Sequence, residues 1–202
     1  MTEVSPVESD GDVPSVQDTT TPRGTPPTTR RERSSGGVVV SLLLGAAAGA
    51  AGVWVMDRVG WFMYDNEDVA ALQREHHARP GNLDVAHAAA GKAAALIGSR
   101  LPDQPNVPGM VVHYALGVLP GAVYGVLRRR VPAVRAGSGA AYGLALFVIM
   151  DETAAPLLGI AAGPSRYPWQ AHARGAVAHL VLGVTTETVL RIATRTRRAS
   201  RP

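Results

Sequence analysis

Apolar positions in this chain fall in blocks, not at the one-face spacing of a helix on a soluble domain. Residues 1–35 are polar, rich in Thr, Pro, Ser and acids, while residues 36–193 hold nearly all the apolar mass. A water-soluble domain interleaves apolar and polar positions, so blocks free of charge point to lipid. Gly36–Met56 carries no charge, and about 20 apolar residues cross a bilayer core. The second block is Val107–Leu127, stopped by Arg128-Arg129-Arg130. The third begins near Gly137. It either runs through Asp151-Glu152 to about Leu158, or ends at Met150 and leaves both carboxylates at the surface. The fourth is Gln170–Leu190, followed by Arg191, Arg195, Arg197, Arg198 and Arg201.

This pattern predicts an all-α protein: a four-helix transmembrane bundle with helices at about 36–57, 107–127, 137–158 and 170–190, inside a membrane domain of residues 36–195. Residues 1–35 cannot bury a core and read as a disordered tail; residues 196–202 read as a basic C-terminus. Asp57-Arg58 reads as the end of the first helix, and Trp61, Phe62 and Tyr64 as an interfacial aromatic belt. In the long connection 65–106, the Ala-rich stretch Asp84–Ser99 reads as a short extracytoplasmic helix, set off by Pro80-Gly81 and by Pro102 to Pro108. Pro120 lies mid-span, which membrane helices tolerate when neighbours re-satisfy the backbone. Gly163–Trp169 reads as a tight turn.

Charge fixes an orientation. Basic clusters precede the first block and follow the second and the fourth. With four spans all three fall on one side, and the positive-inside rule makes that side cytoplasmic. Both termini are then cytoplasmic, and the protein is a multi-pass protein of a cell membrane. The near-exclusive use of arginine, with Lys92 the single lysine, reads as a GC-rich bacterial genome and hence a bacterial inner membrane. The pI near 10.0 is explained by these flanking arginines, so no nucleic-acid partner is expected. The absence of cysteine removes disulfides, thiol catalysis and thiolate metal sites.

Small and ionisable residues recur every fourth position. The first helix has Gly45 and Gly49 leading to Asp57; the second has Gly109, His113, Gly117, Gly121 and Gly125. The third has Gly139, Gly143, Phe147 and Asp151; the fourth has Gly175, His179, Gly183 and Glu187. Residues four apart share a helix face, and glycine lets membrane helices approach closely. The ionisable groups therefore point into the bundle, where a central charge is least costly. At 1.5 Å per residue, His113, Asp151 and His179 each lie roughly 9–12 Å below the outer boundary. Asp57 and Glu152 reach that layer or sit just above it, and Arg174 is placed to supply a counter-charge. Glu187 lies nearer the cytoplasm. The candidate polar cluster is thus Asp57, His113, Asp151, Glu152, His179 and Glu187. It suits proton response or ion binding, because histidine titrates near neutral pH; interhelical hydrogen bonds that only hold the bundle together account for it equally well.

Other signals are weaker. His76, His77 and His87 invite a metal reading, but their spacing matches no known metal motif, and a solvated loop explains them. No phosphate loop, nucleophile elbow or paired metal-ligand helix is present. The expectation is a non-enzymatic protein without cofactor. Its partners are the lipid bilayer and, through the glycine-rich faces, a second copy or another membrane protein. In that alternative the ionisable residues are structural.

Three stretches carry a family resemblance: His113 with the Gly-rich run to Tyr124-Gly125; Pro156-Leu157-Leu158-Gly159-Ile160, with Asp151 five before the proline; and His179-Leu180-Val181, with Glu187 and Arg191 beyond. Over roughly residues 36–195 the chain resembles the YagU-like family of small bacterial inner-membrane proteins of unknown function. It departs from the family pattern at Asp151, where that pattern has histidine, and at Ala178, where it has glycine. The resemblance implies a membrane protein and a non-enzymatic default. It implies no substrate.

Overall fold

Each apolar block forms a helical span; Asp57-Arg58, Asp151-Glu152 and Arg191 lie inside the helices, whereas Arg128-Arg129-Arg130 follow the end of the second. The computed structural model describes residues 1–2 and 30–199. Among them all regular structure is helical. Four stretches are long and apolar enough to cross a membrane: Gly36–Asp65, Val107–Leu127, Pro132–Leu157 and Trp169–Arg197. The expected tail lies outside the described residues, except Met1–Thr2 and the stretch 30–35. That stretch begins helix α1 (Arg30–Asp65).

Asp57-Arg58 is not the end of α1; the helix continues two turns further. Both charges have partners that make the continuation tolerable. Asp57 bonds His113, and the Arg58 guanidinium sits 4.8 Å from the Trp54 ring and 4.9 Å from the Trp61 ring, a cation–π arrangement on both sides. Trp61, Phe62 and Tyr64 therefore belong to the last turns of α1.

The connection 65–106 folds into two helices. Asp68 caps α2 (Val69–Ala78) by accepting from the Ala71 amide at 2.9 Å. Asp84 caps α3 (Val85–Leu96) in the same way through the His87 amide. Such caps satisfy amides that the first turn leaves free. Gly98, at φ 71°, ends α3: Ser99 donates to the Ala94 carbonyl and Gly98 to that of Ala95, the left-handed glycine stop. The Ala-rich helix was expected; α2 was not. Nor is α3 peripheral. It packs on the next helix, α4 (Val107–Leu127), and Ala88 meets Ala155 and Ile160 at the end of the third span. Lys92 donates to the Leu158 carbonyl at 2.7 Å.

The third span continues past Met150, so both carboxylates lie within it. It opens with an irregular 3₁₀ stretch, Pro132–Gly139, and continues as α5 (Ala140–Leu146). A π-helical stretch, Phe147–Ala154, then carries Asp151 and Glu152, and α6 (Ala155–Leu157) ends the span. After the expected turn, α7 (Trp169–Ala199) returns. The four spans run alternately, so α2 and α3 lie at one end of the bundle, here the hairpin end. Arg128 and Arg191 lie at the other, the arginine end.

α1 is central, packing on α4 and α7, and α5 packs on α7. The glycine stripes make these contacts. A Cβ on Gly121 would lie 2.7 Å from the Gly45 carbonyl oxygen and 2.8 Å from the Gly49 Cα, and one on Gly183 2.7 Å from the Gly143 amide nitrogen. Many of the buried positions at these contacts are small (Ala48, Gly117, Gly121, Gly125), while Leu43, Leu119, Val123, Val148 and Ile149 point outward and exposed. That inversion of size suits a bundle surrounded by lipid, where close backbone contact replaces a large-residue core. Tyr124 is buried and stacked on Tyr142, with centroids 4.2 Å apart.

Candidate functional site

The ionisable residues of the spans sort into three pairs at the hairpin half and one knot at the arginine end. Asp57 of α1 lies 2.9 Å through Oδ1 from His113 Nε2 of α4. Asp151 of the π-helical stretch lies 3.7 Å through Oδ2 from His179 Nδ1 of α7. That nitrogen also lies 3.0 Å from the Gly175 carbonyl oxygen. A carbonyl only accepts, so Nδ1 carries hydrogen and points it at Gly175, and Asp151 is a neighbour of this imidazole, not its bonded acceptor.

Glu152 does not join that layer. It turns to His172, which sequence reasoning overlooked, with Oε1 2.7 Å from Nδ1; His172 Nε2 donates to the Pro164 carbonyl at 3.0 Å. With Nε2 committed, the short contact holds one further proton, on Nδ1 or on the carboxyl. His172 lies seven residues before His179, two turns along the same face, and that spacing was visible in the sequence.

The hairpin closes over these pairs. Arg174 does not serve His179 as expected; it bonds Glu67 and Glu75 across the hairpin, with its guanidinium 5.2 Å from the Tyr64 ring. Arg79 bonds Glu75 as well. Burial pushes the Glu75 carboxyl up, but the bonds and charges of Arg174 and Arg79 outweigh it and hold the group below its ordinary range. Asp84 behaves alike: burial raises it, and the His87 amide and ring lower it further. His87 is buried, with Nδ1 2.8 Å from Asp84 and Nε2 accepting from the Asn106 amide at 3.1 Å. Its ring lies against Gly109, where any larger residue would collide with it. His76 instead engages the Tyr64 hydroxyl and Asn82, and His77 the Gln73 carbonyl. Among the described residues, no three His, Asp or Glu side chains converge as a metal site.

Between hairpin and spans lies a cavity of about 610 Å³, whose walls include Asp57, His113, Asp151, His179, His87 and Arg174. Glu152 and His172 face a smaller adjoining space of about 160 Å³, which shares Asp151 and Glu75 with it. The structure thus brings Asp57, His113, Asp151 and His179 to one cavity, with Glu152 beside it.

Glu187 stands apart, at the arginine end. Fully buried, it accepts from the Tyr124 hydroxyl at 2.7 Å, from Arg128 Nε and an Arg128 terminal nitrogen at 2.8 Å each, and from Arg191 Nε at 2.7 Å. Arg191, one turn further along α7, was legible as a partner by spacing. Tyr124 and Arg128 were not, because they come from α4.

Residues 102–188 match the model of a protein family described as "protein of unknown function (DUF1440)". The match covers His113, Asp151, Glu152, His172, His179 and Glu187, in less than half of the chain. No curated protein matches the chain, and no solved structure does.

Proposed function

We propose that this is a non-enzymatic, proton-responsive protein of a bacterial inner membrane, with both termini cytoplasmic, acting in envelope or acid-stress homeostasis. The observation that carries the reading is one cavity walled by two imidazole–carboxylate pairs, Asp57–His113 and Asp151–His179. Each pair joins two spans, α1 to α4 and the third span to α7. Proton uptake by either imidazole turns a neutral ring beside a carboxylate into an ion pair, which tightens the link between those spans. Intramembrane Asp and His in such places mark proton and ion paths. The family match, to proteins of unknown function, and the resemblance to YagU-like proteins are consistent with a membrane role and assign no reaction. The arginine clusters support the cytoplasmic assignment of the termini.

Trp61 lines the same cavity and supplies the test. In a variant keeping Trp61 as sole tryptophan (W54F/W169F), its fluorescence in mixed micelles should fall as pH is lowered, because an imidazolium near an indole quenches it. H113Q/H179Q in that background should flatten the curve. A titration unchanged by the double substitution refutes the proposal.

A further inference from the structure

The arginine end holds a second, larger concavity that the proton reading does not use. It encloses about 1500 Å³, and six arginines line it: Arg128, Arg129, Arg135, Arg191, Arg195 and Arg197. They come from the end of α4, the irregular start of the third span and the last turns of α7. Among the described residues the only carboxylate bonded to any of them is Glu187, which takes Arg128 and Arg191. Arg129 donates to the Gly37 carbonyl and to the Ser41 hydroxyl. Arg135, Arg195 and Arg197 are exposed and have no ion-pair partner among the described residues. Positive-inside topology asks for arginines at this end of the bundle. It does not ask that those of three separate segments converge on one hollow, while Arg130, in the same triplet, stays outside it.

The walls are not uniformly polar. Val40, Leu44 and Leu190 continue the cavity from the guanidinium groups toward the apolar part of the spans. A site with cationic groups at the span ends and aliphatic walls running along the spans matches an amphiphile with an anionic head. Guanidinium groups recognise phosphate by paired N–H donors. We infer that this cavity binds the phosphate headgroup of an anionic phospholipid, with the first part of its chains against Val40, Leu44 and Leu190.

The test uses the full-length protein in mixed micelles containing phosphatidylglycerol or, at the same mole fraction, phosphatidylcholine, with bound lipid counted by native mass spectrometry. Phosphatidylglycerol should bind saturably and in preference to phosphatidylcholine. At roughly fivefold per arginine near an anionic headgroup, R135Q/R195Q/R197Q should lower its affinity about a hundredfold. The charge-matched control R100Q/R130Q/R166Q, which leaves the cavity intact, should change it little. Equal loss in both triple variants would mean general charge attraction and would overturn the site, as would equal binding of the two lipids. Competition by inorganic phosphate or glycerol phosphate at the concentration of the lipid would overturn the lipid assignment in favour of a soluble phosphate compound.

Discussion

Glu187 offers the most demanding check on how the bundle is held. Its side chain has no solvent exposure, and four hydrogen bonds from Tyr124, Arg128 and Arg191 converge on it. Removing it by Glu187→Ala leaves the three donors in different situations. Arg191 is 45% exposed and turns to water, whereas Arg128 is 10% exposed and keeps an uncompensated charge. Breaking a buried pair from one side costs about 3–5 kcal/mol, mostly through the partner left behind. Tyr124→Phe, which deletes one bond to a charged acceptor, should cost about 1.5–3 kcal/mol. Replacing both sides with Arg128→Leu and Glu187→Leu removes the stranded charge, so the double variant should be more stable than Glu187→Ala, near the parent. Unfolding by SDS titration in mixed micelles, followed by tryptophan fluorescence, measures all three. A Glu187→Ala cost below about 1 kcal/mol would refute the reasoning, and so would a double variant that costs the sum of its single changes.

Three further outcomes follow. Gly121→Ala should destabilise by about 1–3 kcal/mol in the same assay, because the added methyl meets backbone of α1, whereas Gly60→Ala, with open space around it, should not. Glu75 and Asp84 titrate below their ordinary values, so their pairs stabilise the hairpin above the usual carboxylate range, and that contribution fades as pH falls through the lowered values. Amides of α2 and α3 should then lose protection as pH falls below the ordinary carboxylate range, after correction for intrinsic exchange, with little change above that range; protection that survives acid would contradict the ion-pair account. Finally, the chain has no cysteine. Single cysteines at 113 and 179 should react with a membrane-impermeant thiol reagent applied to the hairpin side; silence at both, with position 166 reactive, would mean a sealed cavity without water access.

The boundaries of α4 were fully legible. Its apolar run lies between an Asn106 cap and an arginine triplet, both local signals. α1 was cut short because the partners that make Asp57 and Arg58 tolerable are remote or aromatic: His113 is 56 residues away. For the same reason the third span could not be carried past Met150 with assurance until Asp151 and Glu152 met His179 and His172 of α7. Depth along the spans brought Asp57, His113, Asp151 and His179 to a common layer, because rise per residue is fixed. The assignment of partners within it depends on rotation and loop closure, so Arg174 went to the hairpin and Glu152 to His172. α2 was missed because it is short and buries only Ala71 and Glu75, a face too narrow for hydropathy to reveal.

The π-helical stretch of the third span resolves a conflict of phase. Gly139, Gly143, Phe147, Asp151 and Ala155 repeat every four residues, whereas an α-helix turns once per 3.6. A strict four-residue stripe therefore precesses by about 40° at each step. Left uncorrected, Ala155 would sit on nearly the opposite side of the helix from Gly139. Yet Gly139 and Gly143 meet α7, Asp151 faces His179, and Ala155 is buried against α3. Bonding to the fifth residue in place of the fourth unwinds the helix and offsets that drift. The segment acts as a phase corrector that keeps the Asp151 side chain in step with a glycine contact. Loss of one residue between Phe147 and Ala154 would let the stretch close as an ordinary α-helix with its last turns little rotated, whereas gain of one more would turn them by about 100° and carry Ala155 away from α3.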